Sequence, residues 1–354
     1  MEASAAQRNE GGRGREATFD AISKYGLIAA LLVLPVAYGI TDISQEGSLA
    51  PLANNLVDGL SNGAIWALIA LGYTLVYGII ELINFAHGEV FMIGSLTAAS
   101  WFWGVIGLSA ATGTVGIVVA LLASLLVCML ISGALNTMIE RVAYRPLRNA
   151  PKLAPLITAV GFSFILQNVG ILWIGGSPES IVDPIRAQRE LFAIAGVSFS
   201  HGDLLAVGAT VPLVLALVAF MTRSRLGKAM RATAQDPEAA RLMGINVDTT
   251  ISLTFMIGGL LAGAAGLIYA LYQTNISFFQ GFTAGLIAFT AAVMGGIGNL
   301  KGAVLGGLII GIIQQISDNR IGGEWTPAVV FAYLVLIMIF RPQGLLGEET
   351  REAG

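Results

Sequence analysis

The sequence predicts an all-α fold, a polytopic bundle of about ten transmembrane helices, or eight if two of the shorter apolar runs are re-entrant. Three observations predict it. Hydrophobic residues make up 55% of the chain and charged residues 12%, against roughly 25% charge in a soluble domain. Mean hydropathy is +0.77, which is more apolar surface than one water-solvated core can hide. Apolar runs recur along most of the chain, separated by short polar loops.

Residues 1–23 are polar and are read as a disordered tail, too long and too polar for an ordinary cleaved signal peptide. The transmembrane domain is expected over 24–346, and 347–354 form a second short tail. The apolar runs are 25–40, 56–80, 90–108, 115–138, 153–174, 204–221 and 249–271. Three shorter runs follow at 282–297, 303–316 and 327–340. About 20 residues cross a typical hydrocarbon core, so the last three are candidates for broken or re-entrant helices, which need other protein to shield their backbone.

Charge sets the expected orientation. Arg141, Arg145, Arg148 and Lys152 mark one basic loop, and Arg223, Arg225, Lys228, Arg231 and Arg241 mark another. Short basic loops stay in the cytoplasm. Ten crossings with both termini inside put every such cluster on that side, including Lys301 and Arg341. Small residues recur at four-residue spacing as Gly59, Gly63 and Ala67, as Ala262, Gly266 and Ala270, and as Ala303, Gly307 and Gly311. Such ridges let helices approach closely in lipid, inside this chain or against a second one. The segment Phe85-Ala86-His87-Gly88-Glu89 is echoed by Phe199-Ser200-His201-Gly202-Asp203 and holds one of the two histidines; repeat and coincidence both remain open.

Several chemistries are missing from the sequence. The net charge of -3 gives no footing for nucleic acid. There is no phosphate-binding G-x-x-x-x-G-K-[ST] loop, no histidine pair at zinc spacing and no G-x-S-x-G elbow. Neither catalytic nor metal-ligating residues are expected, and the chain is not expected to be an enzyme. Cys128, the single cysteine, lies in an apolar run and reads as packing.

One polar loop, 222–248, breaks the membrane pattern. Asp236 is a fitting N-cap, Pro237 suits a first helical position, and Glu238, Ala239 and Ala240 favour helix. Gly244 can end the helix in a left-handed conformation. The pattern E-A-A-x-x-x-G is complete in Glu238, Ala239, Ala240 and Gly244. The result is a short rigid peg between two apolar spans. Met243 and the aromatics Phe278, Phe279 and Phe282 are expected to pack rather than to recognise anything.

Polar groups inside or entering spans are the other candidates, because they are costly in lipid and often functional. Asn84, His87 and Glu89 interrupt the chain between the second and third runs. They would line a pathway, or satisfy one another at a helix break. Gln167 and Asn168 lie deep in the fifth run, and Gln314 and Gln315 in the ninth. These amides would hydrogen-bond a zwitterion or join helices.

The loop 222–248 resembles the coupling loop of ABC-importer permeases. The stretches 64–78, 83–89, 140–148, 294–299 and 340–345 extend the likeness, notably Asn84-Phe85-Ala86-His87-Gly88-Glu89 and Arg341-Pro342-Gln343-Gly344-Leu345. Over about 55–346 the chain resembles permease subunits of the high-affinity branched-chain amino-acid importers. The long N-terminal tail and an extra loop near 101–112 depart from that pattern without touching the motifs. The resemblance implies the ABC-permease type of helix bundle in a bacterial-type inner membrane. It implies a heterodimer with a second, related permease, two ATP-binding subunits on the coupling helices, and an extracytoplasmic binding protein. No cofactor is then expected in this chain, since ATP would sit in the partner ATPases. By the same resemblance Asp236, Glu238, Ala239, Ala240 and Gly244 take the coupling role. Urea or short amides stay open as cargo, because relatives of this type carry them. Outside the resemblance, a stand-alone channel or ion-coupled carrier is the rival reading.

Overall fold

The computed structural model describes Gly26, Ala29 and residues 31–45, 47–101, 113–148, 150–181, 183 and 185–347. The expected tail 1–23, the residues after 347 and the stretch 102–112 lie outside the described residues.

Helices α1 (Leu31–Gln45) and α2 (Ala50–Ile80) come first. Glu81, at a φ of 52°, ends α2 with its N–H on the Tyr77 carbonyl, and α3 (His87–Trp101) follows. α4 (Thr114–Ile139) runs on into one π-helical turn (Glu140–Tyr144) before α5 (Leu153–Ile174). Three short strands come next, β1 (Glu179–Ser180), β2 (Glu190–Ile194) and β3 (Val197–Ser200). α6 (His201–Arg223) opens on a capping box between Ser200 and Asp203. α7 (Arg225–Gln235), α8 (Pro237–Leu242) and α9 (Val247–Gln273) lead to β4 (Asn275–Ile276). α10 (Gln280–Gly295), α11 (Leu300–Ser317) and α12 (Thr326–Phe340) complete the described chain.

The sequence-based outline needs two adjustments. The protein is mostly helical, but the polar loop over 175–202 is not featureless. β2 and β3 form an antiparallel hairpin, and β1 pairs with β4. Ala195 and Gly196 turn the hairpin with successive positive φ of 53° and 83°, which suits the right-handed twist of paired strands. The second adjustment concerns length. Among the described residues, six helices are long and apolar enough to cross a membrane, α2, α5, α6 and α9 among them. α1, α10 and α12 are apolar but shorter. α10, with 16 residues, spans about 24 Å at 1.5 Å per residue, less than the roughly 30 Å of a hydrocarbon core.

Small residues decide which helices occupy the centre. An added Cβ at Gly63 would lie 2.8 Å from the Leu308 Cα, and one at Gly59 would lie 2.7 Å from the Ile312 Cα. Gly311 in turn abuts Gly63, and Gly307 abuts Ala67. Two of the sequence ridges therefore face each other along the α2–α11 seam, inside one chain. Gly266 on α9 fits against the backbone of Gly94 and Ser95 on α3. The amides seen in the sequence lock the same seam, as Trp66 Nε1 donates to Gln314 Oε1 at 2.6 Å and Asn62 Nδ2 donates to Gln315 Oε1 at 2.8 Å. α2 and α9 form the interior, with 78% of their apolar stretches buried, against 22% in α4 and α6.

Candidate functional site

The loop between α6 and α9 builds a projecting helix from local chemistry. Asp236 Oδ1 accepts hydrogen bonds from the backbone N–H of Glu238 and Ala239, both at 2.9 Å, and Pro237 starts α8. Ala240, 3% exposed, is the side chain that α8 turns inward. Gly244 follows at a φ of 82°, where an added Cβ would touch nothing; glycine is there for its backbone, not for space. Asn246 then caps α9 by accepting from the Thr249 N–H at 3.0 Å. Glu238 and Ala239 point outward. Met243 does not pack as the sequence suggested, because the turn at Gly244 lifts it clear of α9. Leu242 and Met243 are 89% and 83% exposed, on a basic loop rather than on an apolar span.

A second cluster lies between helices. Asn84 turns the chain ahead of α3, with its Oδ1 accepting from the Ala86 N–H at 3.2 Å and its carbonyl accepting from the His87 N–H at 3.0 Å. Its Nδ2 donates to Asn136 Oδ1 at 3.0 Å. His87 starts α3 fully buried, edge-on to the Tyr73 ring at 4.8 Å, in the notch left by Gly72. Gly72 lies eight residues before the end of α2 at Ile80, about 12 Å along the helix. The segment 81–86 thus dips inward, and α3 begins well inside the bundle.

Glu89, two residues on, is fully buried. Its Oε1 accepts from Gln167 Nε2 at 2.9 Å and from Ser163 Oγ at 3.0 Å, both on α5. Its Oε2 lies against Gly281 in the first turn of α10 and has no hydrogen-bond partner among the described residues. A cavity of about 60 Å³, room for one or two waters, lies between α5 and α10 beside Tyr73, Ser163, Gln167, Phe282 and Phe289. It is too small for a branched aliphatic side chain as it stands. Asn168, predicted alongside Gln167, faces away and donates to the Phe164 carbonyl at 2.8 Å from an exposed position. The structure therefore joins Glu89 and Gln167, places His87 and Asn84 on the same helix start, and leaves Asn168 outside the cluster. Ser163 was missed in the sequence, although it lies one turn before Gln167 on the same helix face.

The echoed segments share only a helix start. His201 opens α6 as His87 opens α3, but its Nδ1 lies 2.9 Å from the Arg189 carbonyl at the exposed surface. Asp203 closes the α6 cap, whereas Glu89 reaches across to α5. At the end of the bundle away from α8, a polar cavity of about 400 Å³ opens under the β2–β3 hairpin, lined by Asn54, Asp58, Asn62, Gln188, Glu190 and Asp203 among others. No group of metal-ligating side chains occurs among the described residues.

The family described as branched-chain amino acid transport system / permease component matches residues 55–339. The high-affinity branched-chain amino acid transport system permease protein BraD of Pseudomonas aeruginosa is 42% identical over 300 residues, covering 84% of this chain and 96% of that protein. The corresponding permease protein LivH of Escherichia coli K12 is 41% identical over 306 residues, covering 84% and 96%. The ribose import permease protein RbsC of the same organism is 25% identical over 322 residues, covering 88% and 91%. No solved structure gives a significant match.

Proposed function

The chain belongs to the branched-chain amino acid transport permease family, and from that premise we propose that it is the membrane-spanning subunit of an ATP-driven importer for branched-chain or similar small aliphatic amino acids. The observation that carries the reading is α8, a capped helix with an apolar tip, Leu242 and Met243, presented to water by a loop of a membrane protein. An exposed apolar tip of this kind fits a groove in a soluble partner. The partners of this reading are two ATP-binding subunits on α8, a second permease, and an extracytoplasmic binding protein. The bundle crosses the bilayer ten times, α8 and both termini lie in the cytoplasm, and the polar cavity under the hairpin faces the binding protein.

The pathway runs along the face of α5 and α10. Asn168 supports this placement, since an exposed amide deep in a span is costly against lipid and cheap against water or a second permease. Ser163 and Gln167 line the small cavity beside it, with Glu89 fixing their orientation from behind. The cavity would widen when ATP binding draws the two permeases through their cycle.

The test is uptake of labelled leucine by proteoliposomes holding the complex that co-purifies with this chain, driven by internal ATP with ion gradients collapsed. Uptake should persist, and should vanish in Gly244→Glu without loss of the chain from the membrane. Uptake that follows the ion gradient and ignores ATP would replace this reading with an ion-coupled carrier. Uptake of urea or short amides in place of leucine would move the substrate class only.

A further inference from the structure

Beyond α8, the two candidate features are connected. Asp248 lies in the first turn of α9, four residues after Gly244. Its Oδ1 accepts from Arg148 Nη1 at 2.5 Å and its Oδ2 from Arg145 Nη2 at 3.2 Å. The other Arg148 terminal nitrogen pairs with Glu140, which is fully buried. Glu140 Oε2 accepts from Ser252 Oγ at 2.6 Å, one turn further along α9. The start of α9 is thus held at two successive turns by the segment that follows α4.

The opposite end of the same π-helical turn holds α3. Tyr144, 2% exposed, donates from its hydroxyl to the Ile83 carbonyl at 3.1 Å and lies 3.4 Å from Asn84 Oδ1. Its ring packs against Phe255 of α9 at 5.3 Å. Asn84 also reaches Asn136, whose Nδ2 donates to the Phe255 carbonyl at 2.6 Å. Three residues after Asn84 comes His87, and two after that Glu89. A chain of hydrogen-bonded groups, partly exposed at Asp248 and Arg145 and buried from Glu140 inward, therefore runs from the foot of the α8 loop to residues 83–84 ahead of α3. The π-helical turn is the piece in the middle, and such turns recur at functional sites.

We propose that Glu140, Arg148 and Tyr144 are positioning residues that carry movement of the coupling helix to the inward-dipping start of α3. This rests on the permease reading above. The bonds explain the direction of transmission. α8 is attached to α9 through Gly244, so a pull on α8 acts first on Asp248 and Ser252. Both are tied to the Glu140–Tyr144 turn, and that turn has polar bonds to residues 83–84 through Tyr144. Residues 83–84 then set where His87 and Glu89 lie.

Tyr144→Phe tests the link with little disturbance, because the ring stays on Phe255 and only the hydroxyl is lost. Ser252→Ala tests the other end and keeps α9 helical. Lys152→Gln is the control, since Lys152 pairs with Glu81 at the surface of the same loop, 3.2 Å away. The readout is labelled leucine taken up per ATP hydrolysed by the co-purified complex in proteoliposomes. We expect that ratio to fall by about fivefold or more in Tyr144→Phe and Ser252→Ala, with melting temperature held and the ratio unchanged in Lys152→Gln. A spin-label pair on a Cys128→Ser background, reporting the position of Phe85, should lose its ATP-dependent shift in Tyr144→Phe. An unchanged ratio in either variant, or an intact shift in Tyr144→Phe, in a parent that does transport, would overturn the lever alone. A parent complex with no ATP-driven uptake would overturn the permease reading and the lever with it.

Discussion

Replacing Leu242 and Met243 together by serine should detach the ATP-binding subunits while leaving the permease intact. The magnitude follows from exposure. Leu242 is 89% exposed and Met243 83%, so nearly all of each side chain is free to be covered by a partner. Full burial of such side chains stabilises by about 1.5–3 kcal/mol each. A groove covers only part of each, and ordering the side chains opposes the gain. About 2–3 kcal/mol of association remains for the pair, or roughly 30- to 150-fold in Kd. Neither side chain supports the fold, and substitutions at such surface positions change stability by about 0.5 kcal/mol or less. The assay is titration of the purified ATP-binding subunits onto permease held in lipid nanodiscs, followed by interferometry, with melting temperature measured in parallel. A change in Kd below about threefold, with melting unaltered, would refute the claim that the apolar tip of α8 is the docking element.

Three further outcomes are expected. Gly311→Val pushes two backbones apart at the α2–α11 seam and should cost about 3 kcal/mol or more, seen as a lower melting temperature in detergent, while Gly161→Val, where nothing lies within 4 Å of the added Cβ, should leave melting unchanged. Gln167→Leu removes a donor from the buried Glu89 carboxylate and should destabilise by about 1–3 kcal/mol, whereas Asn168→Leu, outside that cluster, should hold stability and alter only uptake. Asn299→Ala removes the cap of α11, where Oδ1 accepts from the Lys301 and Gly302 N–H, and its bond to the Leu346 carbonyl; it should cost about 1 kcal/mol and speed hydrogen exchange at residues 341–346.

What the sequence made legible was local. The α8 helix is written in ten consecutive residues, because cap, proline, alanines and terminal glycine each act on their own neighbours. Small-residue ridges were visible for the same reason, as a property of one helix face. Their partners were not. Gly63 and Gly307 are 244 positions apart, and nothing in either helix alone says that they meet. The Glu89 cluster failed in the same way, since its donors lie 74 and 78 positions downstream. Asn168 was grouped with Gln167 because they are adjacent, yet adjacent helical residues point about 100° apart, and only Gln167 turns inward. The hairpin over 190–200 was hidden because its turn uses Ala195-Gly196 in place of the usual Asn-Gly or Asp-Gly signal.

The distribution of close contacts argues for which parts move. Where α2 meets α11, glycine lets backbone rest on backbone, and Trp66 and Asn62 are tied across the seam to Gln314 and Gln315. Such a seam has one good packing and resists sliding. The contacts around Glu140 are of another kind. They are hydrogen bonds through long side chains, Arg148 among them, which can lengthen or exchange partners over a few ångströms without opening a void. α5 is fastened still more lightly, with 28% of its apolar stretch buried and two of its polar side chains, Ser163 and Gln167, on Glu89. Motion delivered at α8 therefore meets a rigid α2–α11 centre on one side and compliant polar joints on the other. It is passed on through the joints, which places the working displacement at the α3 start and on α5, whose Ser163 and Gln167 line the small cavity.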